Sequence, residues 1–195
     1  MKSSRSPSQP LFYLAYGSNL HPLRLQQRLS QCELIARIEI PSHRLYFHKR
    51  GEDNSGKCDL IFSTPQDRCF GALYQIATTD AGTLDRFESG YHRRGLTVEI
   101  AAERYQGFTY QADKPMIAPD LQPFGWYLAL ITSGAEFLGF SAQYLQQLER
   151  TSSRSDPHPT KAEQHRQLVR QLQLHNRRYP APTIREGQGI DWDTV

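Results

Sequence analysis

Cysteine is scarce in this chain: Cys32, Cys58 and Cys69 are the three present, and no two form a C-x-x-C pair. An odd number without metal-ligand spacing argues against a disulfide framework and against a zinc site. The seven histidines are scattered and make no H-E-x-x-H string, so metal chemistry has no support. The Gly-rich dinucleotide fingerprint and the Walker A string are both missing, as is any internal repeat, and no apolar run approaches the roughly 18 residues needed to span a membrane. Charge of one sign is not in large excess either. Twenty-three Lys and Arg against 20 Asp and Glu give a net charge of +3, too mild to argue for nucleic acid. Much of the Arg excess lies in the last third, at Arg150, Arg154, Arg166, Arg170, Arg177 and Arg178, where a solvated helix face and tail account for it. Met1 to Pro10 is polar and lacks the apolar core of a signal peptide. The expectation is a cytoplasmic protein with no cofactor, no metal, no membrane and no nucleic-acid partner. Its oligomeric state is open.

The 195 residues, 38% of them hydrophobic, suit one domain with modest extensions. A loose tail is expected over 1–10, a folded unit over 11–150, and a linker, helix and irregular extension over 151–195. Strand-like runs dominate the first two-thirds: Phe12 to Tyr16, Glu33 to Ile40, His43 to His48, Asp59 to Ser63 and Arg68 to Ile76. Leu96 to Ala101 and Gln106 to Gln111 read as a β-hairpin joined around Glu103 to Tyr105. Thr78 to Phe87 looks helical, and Trp126 to Ile131 fits either a strand or the start of a helix. Ser141 to Arg150 is helical with Ser141 as N-cap. Thr160 to Glu163 has the form of a capping box, opening a helix to about Arg177 whose apolar stripe is Leu168, Val169 and Leu172. Strands that do not alternate regularly with long helices predict an α+β fold with a mixed or largely antiparallel sheet.

Two segments carry chemistry. In Tyr16-Gly17-Ser18-Asn19-Leu20 a buried strand stops at a glycine and a helix follows. Ser18 and Asn19 are good turn and N-cap residues, and backbone N–H groups at such a junction can hold a carboxylate or phosphate. In Leu84-Asp85-Arg86-Phe87-Glu88-Ser89-Gly90-Tyr91, Glu88 stands where a helix gives way to a loop, between Phe87 and Tyr91. Apolar surroundings raise a carboxyl pKa and make it a usable proton carrier.

Taken in order, these strings resemble the γ-glutamylcyclotransferase family, including its avirulence-induced relatives. Leu84, Asp85 and Glu88 match the family's Leu-Asp-x-x-Glu segment behind Phe70-Gly71-Ala72-Leu73-Tyr74. Tyr127 through Gly134-Ala135 resembles its Tyr-then-Gly-Ala segment, and Tyr144 and Leu148 fit the helix that follows. The resemblance spans roughly Leu11 to Leu148. It implies a barrel-like sheet with flanking helices and a small γ-glutamyl substrate that cyclises to 5-oxoproline. It also implies Glu88 as the catalytic residue, with Tyr16, Gly17, Ser18, Asn19, Leu20, Tyr110 and Tyr127 binding substrate, Tyr127 also donating a hydrogen bond. His92-Arg93-Arg94, where many relatives have a small apolar turn, would favour an additional acidic group if it lined the pocket. Three alternatives stay open: a γ-glutamylamine substrate, a binding protein that keeps the scaffold without catalysis, and a serine hydrolase built on Ser18, for which no general base can be placed.

Overall fold

Tyr13, Leu14 and Ala15 are all buried in the first strand, Leu11–Ala15 (β1), because it runs through the middle of the sheet with a partner on each side. The computed structural model describes residues 10–193; the expected N-terminal tail lies outside the described residues but for Pro10. The strands that follow are Cys32–Pro41 (β2), His43–Arg50 (β3), Gly56–Phe62 (β4), Arg68–Ile76 (β5), Tyr91–Ile100 (β6), Glu103–Ala112 (β7), Arg185–Gln188 (β8) and Ile190–Trp192 (β9). The helices are Pro22–Gln26 (α1), Ala81–Phe87 (α2), Gly125–Phe137 (α3), Ala142–Glu149 (α4) and Pro159–Arg178 (α5).

Seven strands form one curled mixed sheet in the order β8-β2-β5-β1-β7-β6-β9, with β1 antiparallel to β5 and parallel to β7. The hairpin β3–β4 stands as a separate two-stranded sheet. This is the expected α+β class. Alternation puts Ile38 and Ile40 of β2, and Leu96, Val98 and Ile100 of β6, on one buried face with Leu14 and Leu73. The sheet's concave side is thereby a continuous apolar core, as period-two patterning requires. All three cysteines are free thiols. Among the described residues no helix is long and apolar enough to cross a membrane.

Three expectations need correction and one open choice is decided. The hairpin β6–β7 turns two residues earlier than expected, at Ala101 and Ala102, both with positive φ (51° and 67°); such turns usually announce themselves with Asn or Gly. Of the two alternatives for Trp126 to Ile131, the helix is the one found, as part of the 13-residue α3. Thr160 does not cap α5: the helix begins at Pro159 after His158, without a side-chain cap bond, and Glu163 pairs instead with Arg166 and Arg170. Residues 179–195 are not irregular throughout, since β8 pairs parallel with β2 and β9 antiparallel with β6. Gly189 alone separates these two short strands, at φ +85°, so one stretch of chain bridges both ends of the sheet. Helix α5 docks on α3 as its stripe predicted, with Val169 and Leu172 buried against Leu130. Ser141 caps α4 by accepting from the Tyr144 N–H.

Candidate active site

At the end of β1 the chain folds into a tight turn in which the Leu20 N–H donates to the Gly17 carbonyl at 3.0 Å. Gly17 sits in tight packing, where an added side chain would make Cys58 give by a few tenths of an ångström. A Cβ there would stand 3.2 Å from both Cβ and Sγ of Cys58. The helix that follows is capped by His21, whose ring accepts from the Leu23 N–H, so neither Ser18 nor Asn19 is the N-cap. Their backbone N–H groups have no protein acceptor among the described residues. Two buried hydroxyls fix this junction from behind. Tyr74 donates to the Leu20 carbonyl at 2.6 Å, and Thr109 donates to the Leu14 carbonyl at 2.7 Å.

Glu88 terminates α2, its N–H closing on the carbonyls of Leu84 and Asp85. Gly90, at φ +76°, then turns the chain into β6. The Glu88 carboxyl is 16% exposed and lies beside the Gly17–Leu20 turn. Asn19 Nδ2 donates to its Oε1 at 3.0 Å and to the Tyr13 hydroxyl at 3.1 Å, and Arg28 pairs with the same carboxyl oxygen at 3.3 Å. Burial pushes the Glu88 carboxyl above the usual carboxylate range. Arg28 opposes this most, followed by the Asn19 hydrogen bond and the charges of Lys49 and Arg24. Asn19 Oδ1 is itself buried without a partner.

Glu88 opens on a cavity of about 590 Å³ lined among others by Ser18, Arg24, Arg28, Lys49, Lys57, Trp126 and Tyr127. Tyr127 comes from the first turn of α3, and its hydroxyl accepts from the Cys58 N–H at 3.2 Å while Tyr91 donates to the Cys58 carbonyl at 2.6 Å. Both tyrosines thus hold β4 against the turn. In this bond Tyr127 is the acceptor, which does not use its own O–H, the group expected to donate to substrate. Lys57 lies over the Tyr127 ring at 4.6 Å and the Trp126 ring at 5.0 Å.

The remaining expected site residues stand further back. Tyr16 donates to the Tyr110 carbonyl at 2.6 Å, and Tyr110 donates to Asp85 at 2.8 Å. Leu20 is fully buried. None of these three lines the cavity; they brace the turn and α2. His92-Arg93-Arg94 does not line it either. Arg93 grips Asp85 with two hydrogen bonds of 2.8 and 2.7 Å, His92 meets Asp113, and Arg94 covers the Trp192 ring. Sequence reasoning missed Arg24, Arg28, Lys49 and Lys57, as well as Lys161 and His165 of α5. They come from α1 and the turn after it, from β3, from β4 and from α5, and no one short string joins them all.

A curled mixed sheet here brings a Gly-Ser-Asn turn beside a largely buried glutamate at a helix end. In comparison with known proteins the chain is similar to γ-glutamylcyclotransferase-like proteins. Residues 68–148 match the family model of the AIG2-like family. A γ-glutamylcyclotransferase from Bos taurus is 23% identical over 146 residues, which are 72% of this chain and 78% of the relative. The solved structure of a γ-glutamyl cyclotransferase shares the fold at a TM-score of 0.71 and 18% identity, over 84% of this chain and 99% of the other. The crystal structure of an uncharacterized human protein does so at 0.68 and 18% identity, over 83% and 98%. The chain is γ-glutamylcyclotransferase-like in sequence and in fold. Neither the Gly17–Leu20 turn nor α5 falls within the matched segment.

Proposed function

We propose that this protein is an enzyme that cyclises a small γ-glutamyl compound. The α-amino nitrogen of the glutamyl group attacks its own γ-carbonyl carbon, the bond to the partner amine breaks, and 5-oxoproline and the free amine leave. One proton passes from the attacking nitrogen to the departing one, so the reaction consumes neither water nor a co-reactant. Nucleophile and electrophile belong to one molecule, and holding them in reacting geometry supplies about 7–11 kcal/mol of such a barrier. A single carboxyl group can take the first proton and return it to the leaving nitrogen.

The observation that carries this reading is the buried Glu88 carboxyl. It opens on the cavity, and its pKa is raised by desolvation, which strengthens it as a proton acceptor. The unpaired N–H groups of Ser18 and Asn19 stand beside it as donors for the glutamyl carboxylate or for the developing oxyanion. The match to a named γ-glutamylcyclotransferase supports the same chemistry.

The test is a panel of γ-glutamyl dipeptides and γ-glutamyl amines, assayed for 5-oxoproline with wild type and Glu88→Gln. The expected result is release by wild type and a loss of about 10²- to 10⁴-fold in the variant, the usual contribution of a positioned acid–base group, with an unchanged circular dichroism spectrum. Near-normal turnover by Glu88→Gln removes the role given to Glu88. Binding of γ-glutamyl ligands by wild type without any release of 5-oxoproline establishes the non-catalytic alternative.

A further inference from the structure

The cavity continues past Glu88 to the C-terminal helix, and its outer wall is made by Arg24 of α1, Trp126 of α3, and Lys161 and His165 of α5. His165 stacks on the Trp126 indole with ring centres 3.8 Å apart and planes 16° from parallel, and the Trp126 Nε1–H donates to Asp156. Arg24 and Lys57 both act on His165 by depressing its basicity, after burial. Both cations therefore lie near His165 on the cavity lining.

The charges here are unevenly satisfied. Arg28 is paired with Glu88, and Lys57 with Asp53 at 2.7 Å. Of the other carboxylates on the wall, Asp156 accepts from Trp126 and from the His158 N–H, and Glu52 lies near Lys49. Arg24 and Lys161 have no carboxylate partner among the described residues, and Arg24 Nε is buried with no hydrogen-bond partner at all. Burial lowers the Arg24 guanidinium to about 10, which leaves it charged at neutral pH. A desolvated, unpaired guanidinium costs stability unless an acceptor fills the place, and its planar fork suits carboxylate and phosphate oxygens.

We infer that Arg24, with Lys161 at the rim, receives an anionic group carried by the leaving amine, so that α5 supplies a specificity wall for the substrate's distal end. This rests on the cyclotransfer reading above. It also moves the recognition of an acidic group from His92-Arg93-Arg94, which the fold uses internally, to residues far apart in the chain. A carboxylate and a phosphate present the same chemistry here.

Four substrates separate the possibilities: γ-glutamyl-alanine against γ-glutamyl-alaninamide, and γ-glutamyl-phosphoethanolamine against γ-glutamyl-ethanolamine. The expected result is that kcat/KM for 5-oxoproline release favours the anionic member of at least one pair by tenfold or more. Which pair shows it identifies the group. Arg24→Gln should reduce that preference towards one, chiefly through KM. Lys161→Gln, at an exposed position where folding is not at stake, should reduce it partially. Turnover of neutral and anionic members at equal rates, or a preference untouched in both variants, overturns the inference and leaves the reaction standing. Release from none of the four overturns the reaction and the inference with it.

Discussion

Replacing Gly134 by alanine sets two effects of opposite sign against each other. Gly134 lies inside α3, and in a helix interior alanine is favoured over glycine by about 1 kcal/mol. The helix, however, passes directly over the Gly17–Leu20 turn. A Cβ on Gly134 would stand 2.6 Å from Leu20 Cβ and 2.9 Å from the His21 nitrogen, where carbon atoms normally keep about 3.5–4.0 Å. Relief requires a shift of about 1 Å. The turn is poorly able to give way, because Leu20 is fully buried and its carbonyl is held by the Tyr74 hydroxyl. Overpacking of this kind costs about 1–3 kcal/mol. With the turn this firmly held the cost falls in the upper part of that range, about 2–3 kcal/mol, so packing outweighs propensity and Gly134→Ala is expected to lose about 1–2 kcal/mol. In a chain of this size that lowers the melting temperature by about 2–8 °C. The same displacement moves Asn19 relative to Glu88, and a misplacement of about 1 Å near the reacting atoms costs on the order of 10²-fold in rate. A thermal melt followed by circular dichroism and a 5-oxoproline release assay measure the two effects. A variant that melts at or above the wild-type temperature with unchanged kcat/KM refutes the steric argument.

Two further outcomes follow from the same geometry. Tyr74→Phe strips the buried Leu20 carbonyl of its donor and should cost about 1–3 kcal/mol in urea unfolding; an unchanged midpoint would show that the carbonyl finds another partner. Arg28→Gln removes the strongest influence opposing the desolvation of Glu88, so the carboxyl pKa rises further. A base must be deprotonated to act, so the acidic limb of kcat/KM against pH should move to higher pH, with recovery at alkaline pH; a limb that stays in place means Glu88 is not the group that titrates.

Strand patterning made the sheet legible, and β5 was readable to its ends because Arg68 to Ile76 is bounded by a turn before it and a helical segment after it. Trp126 to Ile131 was ambiguous for a physical reason. Helix α3 is buried on nearly every side, so its sequence shows no polar stripe from which to read a period. The tail strands were illegible because Arg185–Gln188 and Ile190–Trp192 owe their conformation to open sheet edges and not to local preference. Glu88 could be singled out because a helix end, two aromatics and a carboxylate sit in one short string. The cations around it are a tertiary property. Tyr110 shows the converse, a residue prominent in the sequence that the fold spends on gripping Asp85.

The bridging of both sheet ends by residues around Gly189 has a consequence for biosynthesis. Residues 36–39 find their outer partner only at 185–188, and residues 96–98 theirs only at 190–192. Until those late residues leave the ribosome, β2 and β6 are bare strand edges, the kind of surface on which chains pair wrongly with one another. Contacts this distant in sequence also close slowly, since the loop entropy is lost before the pairing returns anything. The nascent chain thus passes through an interval in which most of its sheet is formed and neither end of the sheet is covered. Gly187 sets how cleanly that interval ends, because any side chain there would meet Ile38 and Ile100 within 3.0 Å as the clasp closes.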